Sequence, residues 1–445
     1  MKKNILTSTL LIVTVSLIWS CNVLDHTPEL NITDDQAFVN RNSAVSALNG
    51  AYNSLQGNSY YGRDYNAFGY LPADNVQWSG SFNYYQQFDA NSLTADNQTI
   101  SSTWGAIYTA INSANNIIAE VQQVEDHLFT EEDRNRIQGE AYFIRALAYF
   151  DLARAWGGVP LKLTPTRSPE DGVGLGRSSL AETYRQVLSD LIEAEALLPD
   201  AVDRNRATRH TVYALRARLH LYLEEWEQAG IYAGELIEHP SYTLAGSYPE
   251  FVENKNTSES ILELAYSNSN RNGHNGYFLP SSHGGRLEWR PTDEFVAVVT
   301  DEEIGGNRSV LVATSGDVVY GNLYHRSSNG DDPAYILRLA ELYLIRAEAR
   351  AQQGDIDGSQ EDLNAVRNRA GLDDTEAGTA EGLLLAIEEE RRIEFAFEAH
   401  RWFDLVRTGR AGEVLGVTDQ RKWVFPLPLG DIDTDPDLDQ NDGYD

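Results

Sequence analysis

The chain has 445 residues, 42% hydrophobic and 10% aromatic, enough for a large core and for two or three domains. Its 35 basic residues face 67 acidic ones, a net charge of -32, which excludes nucleic acid as an expected partner because phosphate affinity rests on cationic surface. The lysines are Lys2, Lys3, Lys162, Lys255 and Lys422 and no others; arginine over lysine, with a carboxylate-rich surface, fits a high-salt habitat where salt screens self-repulsion.

Lys2-Lys3 and an apolar run over residues 5–19 read as a signal peptide, too short for a comfortable membrane span. The run ends at Cys21, the only cysteine, in the place of a lipidated residue. A lone cysteine makes no internal disulfide, so lipidation explains it better than redox chemistry. Residues 1–20 are thus expected to be removed and the mature chain tethered at Cys21 by acyl chains. Residues 21–40 form the tether and first contacts, with Thr33 an expected N-cap for a helix holding Phe38, Val45, Leu48 and Tyr52.

A helical part is expected over 41–238, interrupted by an aromatic, weakly periodic loop at 57–95. Helices are predicted over 42–55, 104–124, 138–155 and 178–198, with Trp156-Gly157-Gly158 closing the third by a glycine turn. Residues 164–176 are a Pro/Gly-rich surface crossing. Residues 214–237 form a helical hairpin. Residues 239–333 are a loop-rich insertion with extended pieces at 261–266, 295–299 and 310–312. The C-terminal part, 334–445, holds a second hairpin at 335–371, a long helix at 381–407 and an acidic tail.

In that second hairpin Leu339, Leu342, Tyr343, Arg346, Ala347 and Arg350 recur at spacings of three and four, Gly354-Asp355 breaks the pattern, and a second helix runs to Gly371. Ala347, Ala349 and Ser359 are small enough for close approach. A hairpin of this length looks like a tetratricopeptide repeat. Residues 214–237 align with it without gaps, Ala217 on Ala347, Glu224 on Gly354 and Ala229 on Ser359. The fold expected is mainly α, a tetratricopeptide-like α-α superhelix with long irregular loops carrying a few short strands.

Long aromatic loops in a compact chain point to function rather than disorder. Sugar rings have apolar faces and polar rims, so a receptor for them needs aromatic platforms flanked by planar polar side chains. The platform candidates are Trp78, Tyr84, Tyr85 and Trp289; the polar candidates are Asp74, Asn75, Asn83, His274 and Arg290. For each, local loop packing is the competing reading. The tail at 431–442 alternates carboxylates like a calcium loop, but Pro436 stands where the turn needs glycine and position twelve is Asp442; no metal is expected. His210, His220 and His239 read as packing or surface residues. Without zinc spacing, a phosphate-binding glycine loop or a nucleophile elbow, the chain is expected to be no enzyme and to carry no cofactor.

Several stretches resemble the SusD/RagB family of outer-membrane nutrient-binding lipoproteins. They are Cys21-Asn22-Val23-Leu24-Asp25 with Pro28 and 33–38; 140–161 (EAYFIRALAYFDLARAWGGVPL); 337–349 (LRLAELYLIRAEA); 390–407 (ERRIEFAFEAHRWFDLVR); and Phe425-Pro426-Leu427-Pro428 with the tail 431–444. The chain departs from the family at Ala399, where glycine is usual, and in its Asp-rich tail. The resemblance implies a lipid-anchored protein on the cell exterior that binds a glycan or oligosaccharide and passes it to a SusC-like TonB-dependent transporter. It carries over no ligand contact, because the family's shared motifs are scaffold. The same partnership with a peptide or other non-sugar ligand, or a repeat scaffold for proteins alone, are the alternatives.

Overall fold

The computed structural model describes residues 38–168, 171 and 173–444. Residues 1–20, expected to be a signal peptide, and Cys21 and Thr33 lie outside the described residues. Ten main helices form the frame: α1 Arg41–Gln56, α2 Gln98–Glu120, α3 Glu131–Trp156, α4 Leu180–Leu197, α5 Arg209–Tyr222, α6 Trp226–Ile237, α7 Leu339–Gln352, α8 Ile356–Arg369, α9 Ala380–Glu394 and α10 Arg401–Arg407. Six strands form three antiparallel pairs: β1 Val76–Trp78 with β3 Trp289–Pro291, β2 Ser260–Leu264 with β6 Ala334–Arg338, and the hairpin β4 Val312–Ser315 with β5 Val318–Gly321. No helix among the described residues is long and apolar enough to cross a membrane.

The hairpins α3–α4, α5–α6 and α7–α8 stack in sequence, with α6 against α7 and α9 against α7 and α8, the superhelical order expected from the repeats. Their close approach rests on small side chains. Ala217, Ala229, Ala347 and Ser359 are all fully buried, and Ser359 Oγ donates to the Ala347 carbonyl at 2.8 Å. Gly354 takes φ +81° in the α7–α8 turn, and Glu224, its aligned counterpart in the α5–α6 turn, takes φ +57°. The two turns therefore share one left-handed conformation, which costs little at glycine and strains glutamate. Arg346 and Arg350, on the repeat face, both bind Asp362 across α7–α8.

Three local expectations are corrected. The first helix starts at Arg41 and is capped by Asn40, whose side chain accepts from Ser43 N; Phe38 precedes it. Residues 295–299 are helical, not extended, because Thr292 caps a helix over Asp293–Thr300 with an acidic first turn, and that cap outweighs the valines. At 310–312 only Val312 is strand, since Gly306–Leu311 is a 3-10 turn.

The predicted helix 381–407 is two helices. The chain leaves α9 after Glu394 and re-enters a helix at Arg401. In the break the Ala399 backbone passes so close to Gly69 that a Cβ there would lie 2.4 Å from Ala399 Cα. The break also delivers Glu398 to Arg338. Arg338, almost fully buried, donates to Glu259 at 2.7 Å, to the Glu394 carboxylate at 2.9 Å and carbonyl at 3.0 Å, and to Glu398 at 2.7 and 3.1 Å. Arg308 binds Glu390 and Glu394, and Arg369 binds Glu394 and Glu259. Three guanidiniums thus hold one cluster of buried carboxylates, which could not stay inside unpaired.

The acidic tail is held through side-chain amides and carboxylates. Asn441 Nδ2 donates to the Trp156 and Phe425 carbonyls at 3.0 and 2.7 Å, and Asp435 accepts from Gly174 N at 2.9 Å.

Candidate ligand-binding face

The two irregular segments meet through β1 and β3, whose register sets Val76 opposite Pro291, Gln77 opposite Arg290 and Trp78 opposite Trp289. Trp289 is fully buried at the centre of the junction. Around it stand Tyr277 at 4.9 Å between ring centroids, Tyr85 at 5.0 Å, Phe278 at 5.5 Å and Tyr70 at 5.7 Å. Over this buried layer lies an outer one. Phe82 and Tyr84, both half-buried, stack at 5.2 Å and 14°, and Tyr277 lies 6.3 Å from Phe82 at 30°. These three rings make a nearly continuous aromatic surface reaching solvent.

Its position is fixed from below. Glu288, buried beside Trp289, accepts the Ser81 and Phe82 backbone N–H groups at 2.6 and 2.5 Å through one carboxylate oxygen. Gly80 makes room: a Cβ there would sit 2.1 Å from the Glu288 carboxyl carbon. Tyr85 turns inward, its hydroxyl donating to Asp64 at 2.7 Å. Asp64 also takes the Arg63 guanidinium at 2.6 and 3.1 Å, and Arg63 lies 4.3 Å over the Tyr277 ring. Arg286 lies 5.5 Å over Phe82.

The predicted site residues divide by layer. Trp78, Asn83 and Tyr84 reach the surface, Asn83 on the short helix Asn83–Asp89. Tyr85 and Trp289 are buried and support the platform rather than form it. Asn75 is buried, donating to the Arg392 carbonyl at 2.8 Å and accepting from Arg392 Nε at 3.0 Å. Asp74 is taken bidentately by Arg401 at 2.8 and 2.7 Å. Burial raises the Asp74 carboxyl, but the Arg401 hydrogen bonds and charge, with Arg392, outweigh it and hold the group below the usual carboxylate range. Both residues therefore tie the loop to α9 and α10. His274 is buried, stacked on Tyr324 at 4.2 Å and bonded to Asn272; burial, with the nearby Arg63 charge, pushes its pKa down to about 3, so it is neutral. Arg290 shares Gln77's side of the strand pair, opposite to the tryptophans, and faces Asp293 at 3.5 Å. Asn75, Tyr85, His274 and Trp289 are thus support, Asp74 is occupied, and Arg290 points away from the platform.

Phe82, Tyr277, Arg63 and Arg286 are the outer-layer residues that the sequence did not single out. Arg401-Trp402 is scaffold, Trp402 being buried. A cleft of about 640 Å³ lies between α6 and α7. Its walls carry Glu227, Glu235, Glu238, Arg346 and Arg350 and no Trp, Tyr or Phe ring, so it offers a sugar no stacking surface. Asp200, His210 and His239 bring donor atoms within 4.8 Å of one another. His210 already bonds Asp200 at 2.8 Å and Tyr242 at 3.0 Å, so the trio is satisfied without an ion.

A family model described as starch-binding, associating with the outer membrane, matches residues 24–221, and a second, described as the SusD family, matches residues 314–417. SusD-like protein P38 of Formosa agariphila is 28% identical, with 99% of each chain aligned. Among solved structures, a SusD superfamily protein from Bacteroides thetaiotaomicron superposes with a TM-score of 0.78 at 25% identity, covering 91% of this chain and 100% of the other. A laminarin-binding SusD-like protein gives 0.79 at 25% identity, with the same coverage.

Proposed function

Because the chain belongs to the SusD/RagB family, we propose that it is a non-enzymatic glycan receptor of the outer-membrane surface, anchored at Cys21, which binds an oligosaccharide on the Phe82–Tyr84–Tyr277 platform and delivers it to a SusC-like TonB-dependent transporter. The observation that carries the reading is the outer aromatic layer itself. Three rings from two distant segments are assembled on a buried Trp289 floor and reach solvent. Flat apolar faces of this kind match the C–H faces of sugar rings, and Asn83 at the margin supplies a polar partner for hydroxyls. The laminarin-binding relative supports a glycan as ligand, and the first model's description supports the membrane.

The reading accounts for the buried candidates as well. A platform that must present rings to a ligand without collapsing needs a rigid layer beneath it, which Trp289, Tyr85 and Glu288 supply. Binding a sugar in its ground state accelerates no reaction.

The test is titration of the purified protein against polysaccharides, oligosaccharides and peptides, beside Phe82→Ala and Tyr84→Ala. Base–aromatic contacts of comparable kind are worth about 1–3 kcal/mol per ring, so each variant is expected to weaken glycan binding about 5- to 160-fold without loss of fold. Glycan binding unchanged in both variants refutes the platform; a peptide hit with no glycan hit refutes the ligand class. Co-purification with a SusC-like transporter from the source cells tests the partnership separately.

A further inference from the structure

The charge on the ligand is legible at the edge of the platform, an inference that rests on the receptor reading above. Arg286 lies on an exposed turn and projects its guanidinium 5.5 Å over the Phe82 ring. Most arginines of this acid-rich chain that flank the site are consumed: Arg392 by Asp74, Glu294 and Glu389, Arg401 by Asp74 and Glu388, Arg63 by Asp64. Among the described residues no carboxylate lies within ion-pair distance of Arg286.

The turn that presents it is tightly held. Arg286 N donates to the Gly276 carbonyl and Leu287 N to the Leu279 carbonyl, both at 2.9 Å. Leu287 takes φ +50°, a left-handed conformation that a leucine adopts at a cost of about 1–2 kcal/mol. Gly285 passes so close that a Cβ would lie 2.0 Å from the Leu279 carbonyl oxygen. A strained segment persists where its surroundings over-determine it, and here it fixes the backbone from which Arg286 reaches the first ring of the platform.

We propose that the glycan is acidic, with a carboxylate or sulfate on a sugar held by Arg286 while the sugar ring lies on Phe82 and Tyr84. An unneutralised guanidinium presents a planar fork of donors whose best partner is an oxyanion. The overall charge of -32 repels a polyanion at long range, and that repulsion fades within a Debye length of about 8 Å at physiological salt and about 3 Å at 1 M. Local recognition by Arg286 therefore survives in brine, where the global field does not act.

The experiment titrates the purified full chain with polygalacturonate, carrageenan, carboxyl-reduced polygalacturonate, desulfated carrageenan and laminarin, in about 0.15 M and 1 M salt. Wild type stands beside Arg286→Gln, Arg286→Lys and Phe82→Ala, with melting curves for each. The expected result is binding to an acidic polymer, lost on carboxyl reduction or desulfation, weakened about 10- to 100-fold in Arg286→Gln and partly kept in Arg286→Lys, with melting unchanged in both. Which acidic polymer responds separates carboxylate from sulfate. Binding of laminarin or of the neutralised polymers that Phe82→Ala weakens and Arg286→Gln does not would keep the receptor and overturn the acidic ligand. Silence of wild type towards every polymer would overturn the receptor reading and this inference with it.

Discussion

Replacing Arg338 by methionine tests whether the buried arginine–carboxylate cluster holds the helical frame to the broken C-terminal helix. The substitution keeps most of the side-chain volume and removes all five hydrogen bonds of the guanidinium. Glu394 retains Arg308 and Arg369, and Glu259 retains Arg369. Glu398 retains no side-chain partner, because Arg338 supplies both of its ion-pair hydrogen bonds. Breaking a buried pair on one side costs about 3–5 kcal/mol. Unfolding entropy of about 2.1 cal/mol/K per residue, over roughly 400 ordered residues, gives about 0.8 kcal/mol/K, so Tm should fall by about 4–6 °C.

The pH dependence gives a sharper signature. Burial raises Glu398 to about 7, with Arg338 opposing the rise. A carboxyl raised above its unfolded value contributes stability below that value and loses it as pH climbs through the folded one. Without Arg338 the group holds its proton to still higher pH, so the deficit of Arg338→Met should widen from pH 5 to pH 8. Arg338→Met/Glu398→Leu should recover most of the loss, since the orphaned carboxylate is gone. Melting by circular dichroism at the two pH values reads all of this. A deficit below about 1 kcal/mol, or a double variant no better than the single one, would refute the account of the cluster as the joint.

Four further outcomes are expected. Glu224→Gly should raise stability by about 0.5–1 kcal/mol in thermal melts, because it relieves a left-handed turn that Gly354 already occupies in the sister hairpin; a lower Tm would show the strain is not there. Gly80→Ala should displace the Glu288 carboxylate from the Ser81 and Phe82 amides and weaken glycan binding by more than it lowers Tm. Trp289→Ala, which empties a fully buried site, should cost about 3–5 kcal/mol and loosen the platform, detectable as increased exposure of the remaining tryptophans to a soluble quencher. Asp74, held below its ordinary range by Arg401, contributes stability above its unfolded value near 3.8 that is lost as pH falls below it; Asp74→Asn should therefore flatten the acid limb of the stability curve below about pH 4.

The helical frame was legible because its signals are local. Apolar spacing and small crossing residues located α5 to α8, and the gapless alignment of residues 214–237 with 344–367 placed even the shared left-handed turn. The break between α9 and α10 was not legible, since the sequence from 381 to 407 keeps helical charge and apolar spacing throughout; the interruption is imposed by Gly69 against Ala399 and by Arg338 on Glu398, contacts hundreds of residues apart or across the core. At 295–299 the β-branched residues concealed a cap at Thr292. For the candidate site, aromatic density put candidates in both loops, but only the Trp78–Trp289 register decides that Trp289 and Tyr85 lie beneath while Phe82 and Tyr277 lie above, and that Arg290 faces elsewhere.

The pairing of β2 with β6 brings the two ends of the central insertion side by side. Roughly 70 residues leave the frame at Leu264 and return to it at Ala334 through one antiparallel stem. Doubling a flexible loop costs only about 0.6 kcal/mol in closure entropy, so insertions in the exposed turns between these strands cost the frame little, whereas loss of the part that seats Arg308 on Glu390 and Glu394 would not. The stem thus delivers only one half of the candidate face, Tyr277, Arg286 and Trp289, to the Val76–Trp78 edge, and the same segment carries Arg308 into the Glu390–Glu394 cluster, so a relative's segment grafted at these two strands would have to keep both that arginine and the strand β3.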